Sequence, residues 1–271
     1  MGVDEHTIEV AGASIFHRSG SPQGDPVLYL HSVPTSSDDW LGLLEVTGGV
    51  APDLPGFGRS SKAGNLDYAP TGYAQFVAQF LDVVGLDQVA LVGHGWGAAI
   101  GLMFAQRHPG RVSRLALVDA VPLLDGFRWP ALVSWLRRPA VGELLMGSVN
   151  QRLLARWLRS GSATEQTWPD DRVAAVWDQF DQGTQRAILR LHRAADPASL
   201  AAAGAGLSQL TQPAFVVWGE RDRWLDPAFA AAYGHALPNA SVELIPGAGH
   251  WPWLEDPHLA GRLAAFATGT T

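Results

Sequence analysis

The segment Gly93-His94-Gly95-Trp96-Gly97 constrains the fold most, because it joins an apolar run to a helical pattern through a glycine-rich turn. The preceding residues, 88–92, predict a buried strand, and the alanine-rich residues 97–107 predict a helix. In strand–turn–helix motifs of the form Gly-x-nucleophile-x-Gly, the central side chain stands above the sheet at the positive end of the helix. Here the central residue is Gly95, which adopts strained turn conformations readily but carries no side chain. The sequence therefore predicts a reactive turn without its attacking group.

Strand and helix patterns alternate over much of the chain, which predicts a mostly parallel sheet with helices on both faces. Apolar runs and alternating patterns predict the strands Thr7–Val10, Ser14–His17, Val27–His31, Val50–Asp53, Val89–Val92, Leu115–Val118, Ala214–Trp218 and Val242–Ile245. Helical spacing predicts the helices Thr71–Val84, Ala98–Arg107, Pro227–Ala236 and a closing helix from about His258.

Between residues 121 and 208 the strand signal stops, and helical patterns interrupted by prolines replace it. We therefore expect an α/β core formed by residues 1–120 and 209–271, with a helical cap domain at 121–208. The cap contains several tryptophans, which favour an apolar or aromatic small-molecule substrate beside their ordinary packing role. They are Trp129, Trp135, Trp157, Trp168 and Trp177.

Composition excludes several classes of function. The 271 residues include no cysteine, which rules out thiol chemistry and disulfides, and the net charge of −7 argues against a nucleic-acid partner. The first residues resemble no signal peptide, and no apolar run reaches membrane-spanning length, so we expect a cytoplasmic protein without a membrane partner. We expect this protein to be a monomer or a homodimer. Neither a metal-ligand spacing nor a phosphate-binding glycine loop is present, so we expect no metal and no cofactor.

Four motifs in this order resemble the α/β-hydrolase superfamily. They are APDLPGFGRS at 51–60, LVGHGWGAAIGLMFAQRHPGRV at 91–112, GERD at 219–222 and GAGHWP at 247–252. The second motif is most similar to the epoxide hydrolase and haloalkane dehalogenase branch. The resemblance implies an α/β-hydrolase fold, a mostly parallel eight-stranded sheet with helices on both faces and an inserted helical cap.

The resemblance also implies roles for individual residues. His250 matches the catalytic base, and Asp222 matches the acid that orients it. The backbone amides of Trp96 and Val33 match the oxyanion hole. Asp119, at the end of a strand, is the alternative acid, because some relatives carry it there.

Two departures from the family pattern concern the attacking group. Gly95 supplies no nucleophile, and the usual His-Gly after the third strand is His31-Ser32. We hypothesise that Ser32 occupies the space vacated at Gly95 and either attacks the substrate or binds it through a hydrogen bond. The alternative is that the Ser32 hydroxyl caps neighbouring backbone amides. His31 is expected to fix the oxyanion loop through a hydrogen bond.

These residues favour a hydrolase acting on a mid-sized apolar or aromatic ester, lactone or related carbonyl compound, with His250 and Asp222 activating Ser32 or water. One alternative is a cofactor-free lyase, isomerase or cyclase that uses His250 as base. Another is an inactive variant of a dehalogenase, epoxide hydrolase or esterase, in which Gly95 replaces Asp or Ser. Residues 121–212 contain no tyrosine, which disfavours epoxide opening because related epoxide hydrolases protonate the epoxide with cap tyrosines.

Overall fold

An eight-stranded sheet forms the centre of the molecule in the computed structural model, which describes residues 2–22 and 24–270. The outer bounds of the expected core, Met1 and Thr271, lie outside the described residues. The strands are β1 (Asp4–Val10), β2 (Ala13–Gly20), β3 (Val27–Leu30), β4 (Gly49–Pro52), β5 (Val89–His94), β6 (Val112–Val118), β7 (Ala214–Gly219) and β8 (Ala240–Ile245). Their order across the sheet is β1-β2-β4-β3-β5-β6-β7-β8. Strand β2 pairs antiparallel with β1 and β4, and the other neighbours are parallel.

Helices connect the strands and cover the sheet, which confirms the predicted fold class. They are α1 (Leu41–Thr47), α2 (Pro70–Val83), α3 (Trp96–Arg107), α4 (Ala131–Leu136), α5 (Val141–Gly147), α6 (Gln151–Gly161), α7 (Asp170–Asp178), α8 (Gln182–Ala194), α9 (Pro197–Ala203), α10 (Ala228–Ala236), α11 (Pro252–Glu255) and α12 (Leu259–Thr268). The sequence patterns did not predict α1 and α11. Both are too short to show a helical period.

The core lies around the central strands. Every residue of β3, β5 and β7 is buried, because helices cover both faces of the sheet there, and this explains their continuous apolar sequences. Helix α3 is buried at ten of its twelve residues, so it is rich in small apolar residues all round instead of having one polar face. Edge strand β1, in contrast, is largely exposed.

The segment between β6 and β7 carries α4 to α9, which we call the cap helices. Within its described residues this segment contains no strand. Polar contacts attach it to the rest of the molecule: Lys62 Nζ donates to the carbonyl oxygen of Gln179 at 2.7 Å, and Glu255 Oε1 accepts from the Ala163 amide at 2.9 Å. The cap helices therefore cover the carboxyl-terminal edge of the parallel strands.

No helix of the described chain combines the length and the hydrophobicity that crossing a bilayer requires. This finding concerns residues 2–22 and 24–270.

Two glycines allow α3 to approach the sheet closely. A Cβ atom on Gly97 would overlap the Leu30 carbonyl oxygen and lie 2.7 Å from the His31 carbonyl oxygen. A Cβ atom on Gly93 would lie 2.6 Å from Ala98 Cα. The turn between β5 and α3 is thus packed against backbone, which cannot move aside as a side-chain end would.

We expect Gly97→Ala to lower the free energy of unfolding by at least about 2 kcal/mol, because a methyl group there overpacks the turn. Urea denaturation measures this change. Gly110→Ala is the matched control, since a Cβ atom at Gly110 meets nothing within 4 Å, and its effect should stay within about 0.5 kcal/mol. Equal effects of the two substitutions would contradict the packing argument.

Candidate active site

The candidate residues gather at the carboxyl-terminal edge of the sheet. Ser32 follows β3, Gly95 follows β5, Asp119 follows β6, Asp222 follows β7, and His250 lies in the loop after β8. All of these positions are buried. Parallel strands bring residues distant in sequence to one edge, which is where open α/β sheets bind ligands.

His250 and Asp222 form a hydrogen-bonded pair. His250 Nδ1 donates to Asp222 Oδ2 at 2.7 Å, and the two side chains are 5% and 0% exposed. The other carboxylate oxygen, Asp222 Oδ1, accepts from the amides of Trp224 and Leu225 at 2.7 and 3.1 Å. The carboxylate is thereby fixed from both sides, and the tautomer that it selects leaves Nε2 of His250 free to accept a proton.

The backbone of His250 is also fixed. Its amide donates to the Gly161 carbonyl oxygen at 2.7 Å, and its carbonyl oxygen accepts from His94 Nε2 at 2.8 Å. Burial lowers the pKa of His94 well below its usual value, so that ring is neutral. His94 therefore positions the His250 backbone and is not itself placed to act as base.

The side chain of Ser32 fills the space that Gly95 leaves. Gly95 has φ +51°, and a Cβ atom built on it would lie 2.9 Å from Ser32 Cβ and closer still to Ser32 Oγ. The same point is 3.7 Å from His250 Nε2. A side chain at 95 and the Ser32 side chain would thus compete for one volume beside the imidazole.

The Ser32 hydroxyl bonds an amide far away in the sequence. The Trp96 amide donates to Ser32 Oγ at 3.1 Å, whereas the amide of Val33 has no acceptor among the described residues. Of the two amides expected to form an oxyanion hole, one is therefore engaged by Ser32 and the other is open. Within the described chain Ser32 makes no hydrogen bond with His250, and its hydroxyl does not cap its own loop.

His31 holds the loop that carries Ser32. Its Nδ1 donates to the Ser32 carbonyl oxygen at 2.7 Å, and its Nε2 accepts from the Leu54 amide at 2.8 Å. The ring is completely buried, and burial lowers its pKa. Thr35 Oγ1 donates to the same Ser32 carbonyl oxygen at 3.1 Å. Both contacts fix the backbone of the residue whose side chain faces Gly95.

Asp119, the alternative acid, lies beside the His250–Asp222 pair. Its Oδ1 accepts from the Gly219 amide at 3.0 Å, and its Oδ2 is buried without a hydrogen-bond partner. Burial, and next the charge of Asp222, raise the pKa of Asp119 well above its usual value. The protonated form of Asp119 is therefore favoured, and the side chain that hydrogen-bonds His250 is that of Asp222.

Asp119, Asp222 and His250 each offer one potential metal-ligand atom, and these atoms lie within 4.8 Å of one another. Among the described residues no other group of three or more such side chains meets this spacing. The hydrogen bond between His250 and Asp222 accounts for their proximity without an ion. That the site works without a metal stays a prediction.

An apolar pocket of about 180 Å³ opens above the site. It is lined by Ser32, Val33, Gly95, Trp96, Val121, Trp129, Pro130, Leu132, Val133, Trp157, Ser160, His192, Trp224, Leu225 and His250. Aromatic rings from the cap helices and from the core meet there. The expected contribution of cap tryptophans to the pocket holds for Trp129 and Trp157, whereas Trp168 is fully buried elsewhere and Trp135 is half exposed.

His192, a residue of α8, was not marked by any sequence pattern. Its Nε2 accepts from the indole Nε1 of Trp96 at 3.3 Å, and its Nδ1 donates to the Ile188 carbonyl oxygen at 2.8 Å. Burial lowers the pKa of His192 to about 4, so it is a neutral acceptor. Its partner Trp96 is 96 positions away, which is why spacing along the sequence could not reveal the contact.

Comparison with known proteins agrees with this geometry. The sequence profile of the α/β hydrolase fold matches residues 25–257. The chain belongs to the α/β hydrolase fold family. A haloalkane dehalogenase of Mesorhizobium japonicum is 29% identical over 285 residues, which cover 95% of this chain and 89% of that protein. The expected membership of the superfamily is confirmed.

Two solved structures show how far the α/β hydrolase fold extends along the chain. Cfl2 from Burkholderia cenocepacia matches with a TM-score of 0.87 and 24% identity, covering 98% of this chain and 96% of Cfl2. Epoxide hydrolase CorEH matches with a TM-score of 0.86 and 20% identity, covering 99% of each chain. Both similarities show the fold over nearly the whole chain. The family match and the haloalkane dehalogenases among its relatives identify a hydrolase-like enzyme.

We expect Asp119→Asn to change how stability depends on pH. The pKa of Asp119 is raised in the folded state. The protonated carboxyl group therefore contributes its full stabilisation below the pKa that it has in the unfolded chain, about 4. This stabilisation is lost as the pH rises above that pKa. Asn cannot ionise, so the free energy of unfolding of the variant should rise relative to that of the wild type between pH 4 and 7. Urea titrations at several pH values measure the difference, and a constant difference, as expected for the non-ionising Gly110→Ala, would contradict the assignment.

We also expect Gly95→Ser to destabilise the chain and Ser32→Gly to relieve part of that loss. The new Cβ atom meets Ser32, and the positive φ adds strain of about 1–3 kcal/mol. A double-mutant cycle from thermal unfolding should therefore give a favourable coupling of at least about 1 kcal/mol between positions 32 and 95. Additive effects would show that the two side chains do not compete for space.

Proposed function

We propose that the chain hydrolyses a mid-sized apolar or aromatic ester or lactone, with Ser32 as the nucleophile in place of residue 95. The observation that carries this proposal is the position of the Ser32 side chain, which borders the point where a Cβ atom of residue 95 would lie, 3.7 Å from His250 Nε2. A hydroxyl on the β3 loop thus stands next to the place from which the motif's central residue attacks. The base and the acid of the motif lie around it.

In the first half of the reaction His250 Nε2 accepts the Ser32 hydroxyl proton while Ser32 Oγ attacks the carbonyl carbon. Asp222 balances the charge of the imidazolium and keeps its orientation. The Trp96 amide, at the positive N-terminus of α3, stabilises negative charge developing on Ser32 Oγ. The open Val33 amide is the donor for the carbonyl oxygen as it becomes an oxyanion.

The tetrahedral intermediate then expels the alcohol, which takes the proton from His250, and an acyl group stays on Ser32. A water molecule attacks the acyl carbon and gives its proton to His250, and that proton returns to Ser32 Oγ as the carboxylic acid leaves. Substrate binding has to close the contact between Ser32 and His250, as happens in many enzymes whose catalytic hydrogen bonds are loose before substrate binds.

The site favours carbonyl chemistry over the carbon–halogen cleavage named for the relative from Mesorhizobium. Gly95 provides no carboxylate to displace a halide. The indole N–H of Trp96 donates to His192 within the protein and is therefore not directed at a leaving anion in the pocket. The aromatic lining of the pocket fits an apolar acyl or alcohol group.

We expect Ser32→Ala to reduce ester hydrolysis by at least about 10³-fold, as removal of a nucleophile does in other hydrolases. An aryl-ester panel scanned with the wild type provides the substrate. A fluorophosphonate should add covalently to Ser32 of the wild type and leave Ser32→Ala unmodified, which intact mass and peptide mapping detect. The matched control is Ser208→Ala, an exposed serine in a short helical turn outside the pocket, which should keep both activity and labelling.

Three outcomes would overturn hydrolysis through Ser32. Unchanged turnover in Ser32→Ala would assign the attack to water activated by His250. A product that takes up no label from ¹⁸O-water would instead show a non-hydrolytic reaction. If no ester is turned over until Ser32→Gly and Gly95→Ser are combined, the present chain is the inactive form of a hydrolase.

A further inference from the structure

A second cavity adjoins the apolar pocket. It encloses about 470 Å³ and is lined by Arg152, Arg156, Arg159, Ser160, Ser162, Ala163, Thr164, Glu165 and Arg223, and we call it the arginine groove. Ser160 lines both the groove and the apolar pocket. The two cavities are therefore neighbours, one apolar and one basic.

The positive charge of the arginine groove is largely unbalanced. Arg159 pairs with Asp170 at 2.6 Å, whereas Arg152, Arg156 and Arg223 have no carboxylate partner among the described residues. Arg152 and Arg156 are one helical turn apart on α6, a spacing at which like charges destabilise a helix. Glu165 is the one acidic residue in the groove lining.

The positive charge of the arginine groove differs in sign from the net charge of the whole chain. The protein carries a net charge of −7, so a groove with four arginines and a single carboxylate does not reflect a generally basic surface. Helix α6 itself contains three arginines and no acidic residue. An anion bound in the groove would remove the repulsion among these guanidinium groups.

A stacked pair of tryptophans connects the groove to the reactive centre. The rings of Trp157 and Trp224 lie 4.9 Å apart at 18°, and both line the apolar pocket. Each is next in sequence to a groove arginine, Arg156 or Arg223. The Trp224 ring also lies 4.9 Å from that of His250, so a molecule along the tryptophan pair reaches from the base towards the groove.

We infer that the arginine groove binds a carboxylate at the far end of a substrate whose apolar body fills the adjoining pocket. This inference rests on the proposed hydrolysis and names its substrate class, a monoester or lactone that also carries a free carboxylate. Guanidinium groups suit this ligand because their paired N–H donors match the two carboxylate oxygens. The apolar pocket alone would disfavour an unpaired carboxylate, because removing a charge from water is costly.

Binding to the Ser32→Ala variant tests the inference independently of turnover. The probes are ω-phenylalkanoates of increasing chain length and the matching ω-phenylalkanols, and calorimetry gives the dissociation constants. We expect the carboxylates to bind at least fivefold more tightly than the alcohols once the chain is long enough to reach the groove. The preference should shrink between 50 and 500 mM salt, because screening weakens exposed charge pairs.

Arg156→Gln and Arg223→Gln should each reduce the ratio of carboxylate to alcohol affinity by about two- to fivefold, as expected for exposed ion pairs. Arg107→Gln is the matched control, because Arg107 is exposed at the C-terminal end of α3, away from the site at Trp96, and should leave the ratio unchanged.

Equal affinities for carboxylates and alcohols at every chain length would overturn the inference. Binding of the protein to phosphatidylglycerol vesicles, lost in Arg156→Gln without any carboxylate preference, would overturn it in favour of a lipid surface. If carboxylates are preferred but no ester is hydrolysed by the wild type, the groove inference stands and the proposed hydrolysis fails.

Discussion

The competition of two side chains for one volume governs the reactive centre. Ser32 approaches from the β3 loop, and any side chain at position 95 would approach from the turn between β5 and α3. Only one of them fits beside His250, so a glycine at 95 and a serine at 32 form a matched pair. The β3 loop, and not the turn after β5, therefore supplies the side chain that borders this point.

Buried neutral histidines support this arrangement. His31, His94 and His192 each hold a backbone or indole group near the site, and desolvation lowers the pKa of each ring. A neutral ring donates through one nitrogen and can accept through the other, so it can fix two neighbours without adding charge. Burial and the charge of Asp222 raise the pKa of Asp119, and Asp222 is the acid whose side chain hydrogen-bonds His250.

The sequence predicted the sheet, most helices and the gathering of Ser32, Asp222 and His250 correctly, because strand order and motif position fix where the strands end. It did not predict that the Trp96 amide would be occupied by Ser32, since that contact depends on side-chain geometry within a turn. The sequence patterns did not reveal His192 or the arginine groove, because the residues concerned come from α6, α8 and the loop after β7. Contacts between segments far apart in sequence leave no periodic signal.

One backbone hydrogen bond joins the loop after β8 to the end of helix α6. The amide of His250 donates to the carbonyl oxygen of Gly161, the last residue of the helix that carries the groove arginines. A rigid rotation of α6 would therefore pull directly on the backbone of the base. One helix thus presents three arginines to solvent and, through its last carbonyl group, holds the main chain of the imidazole in place.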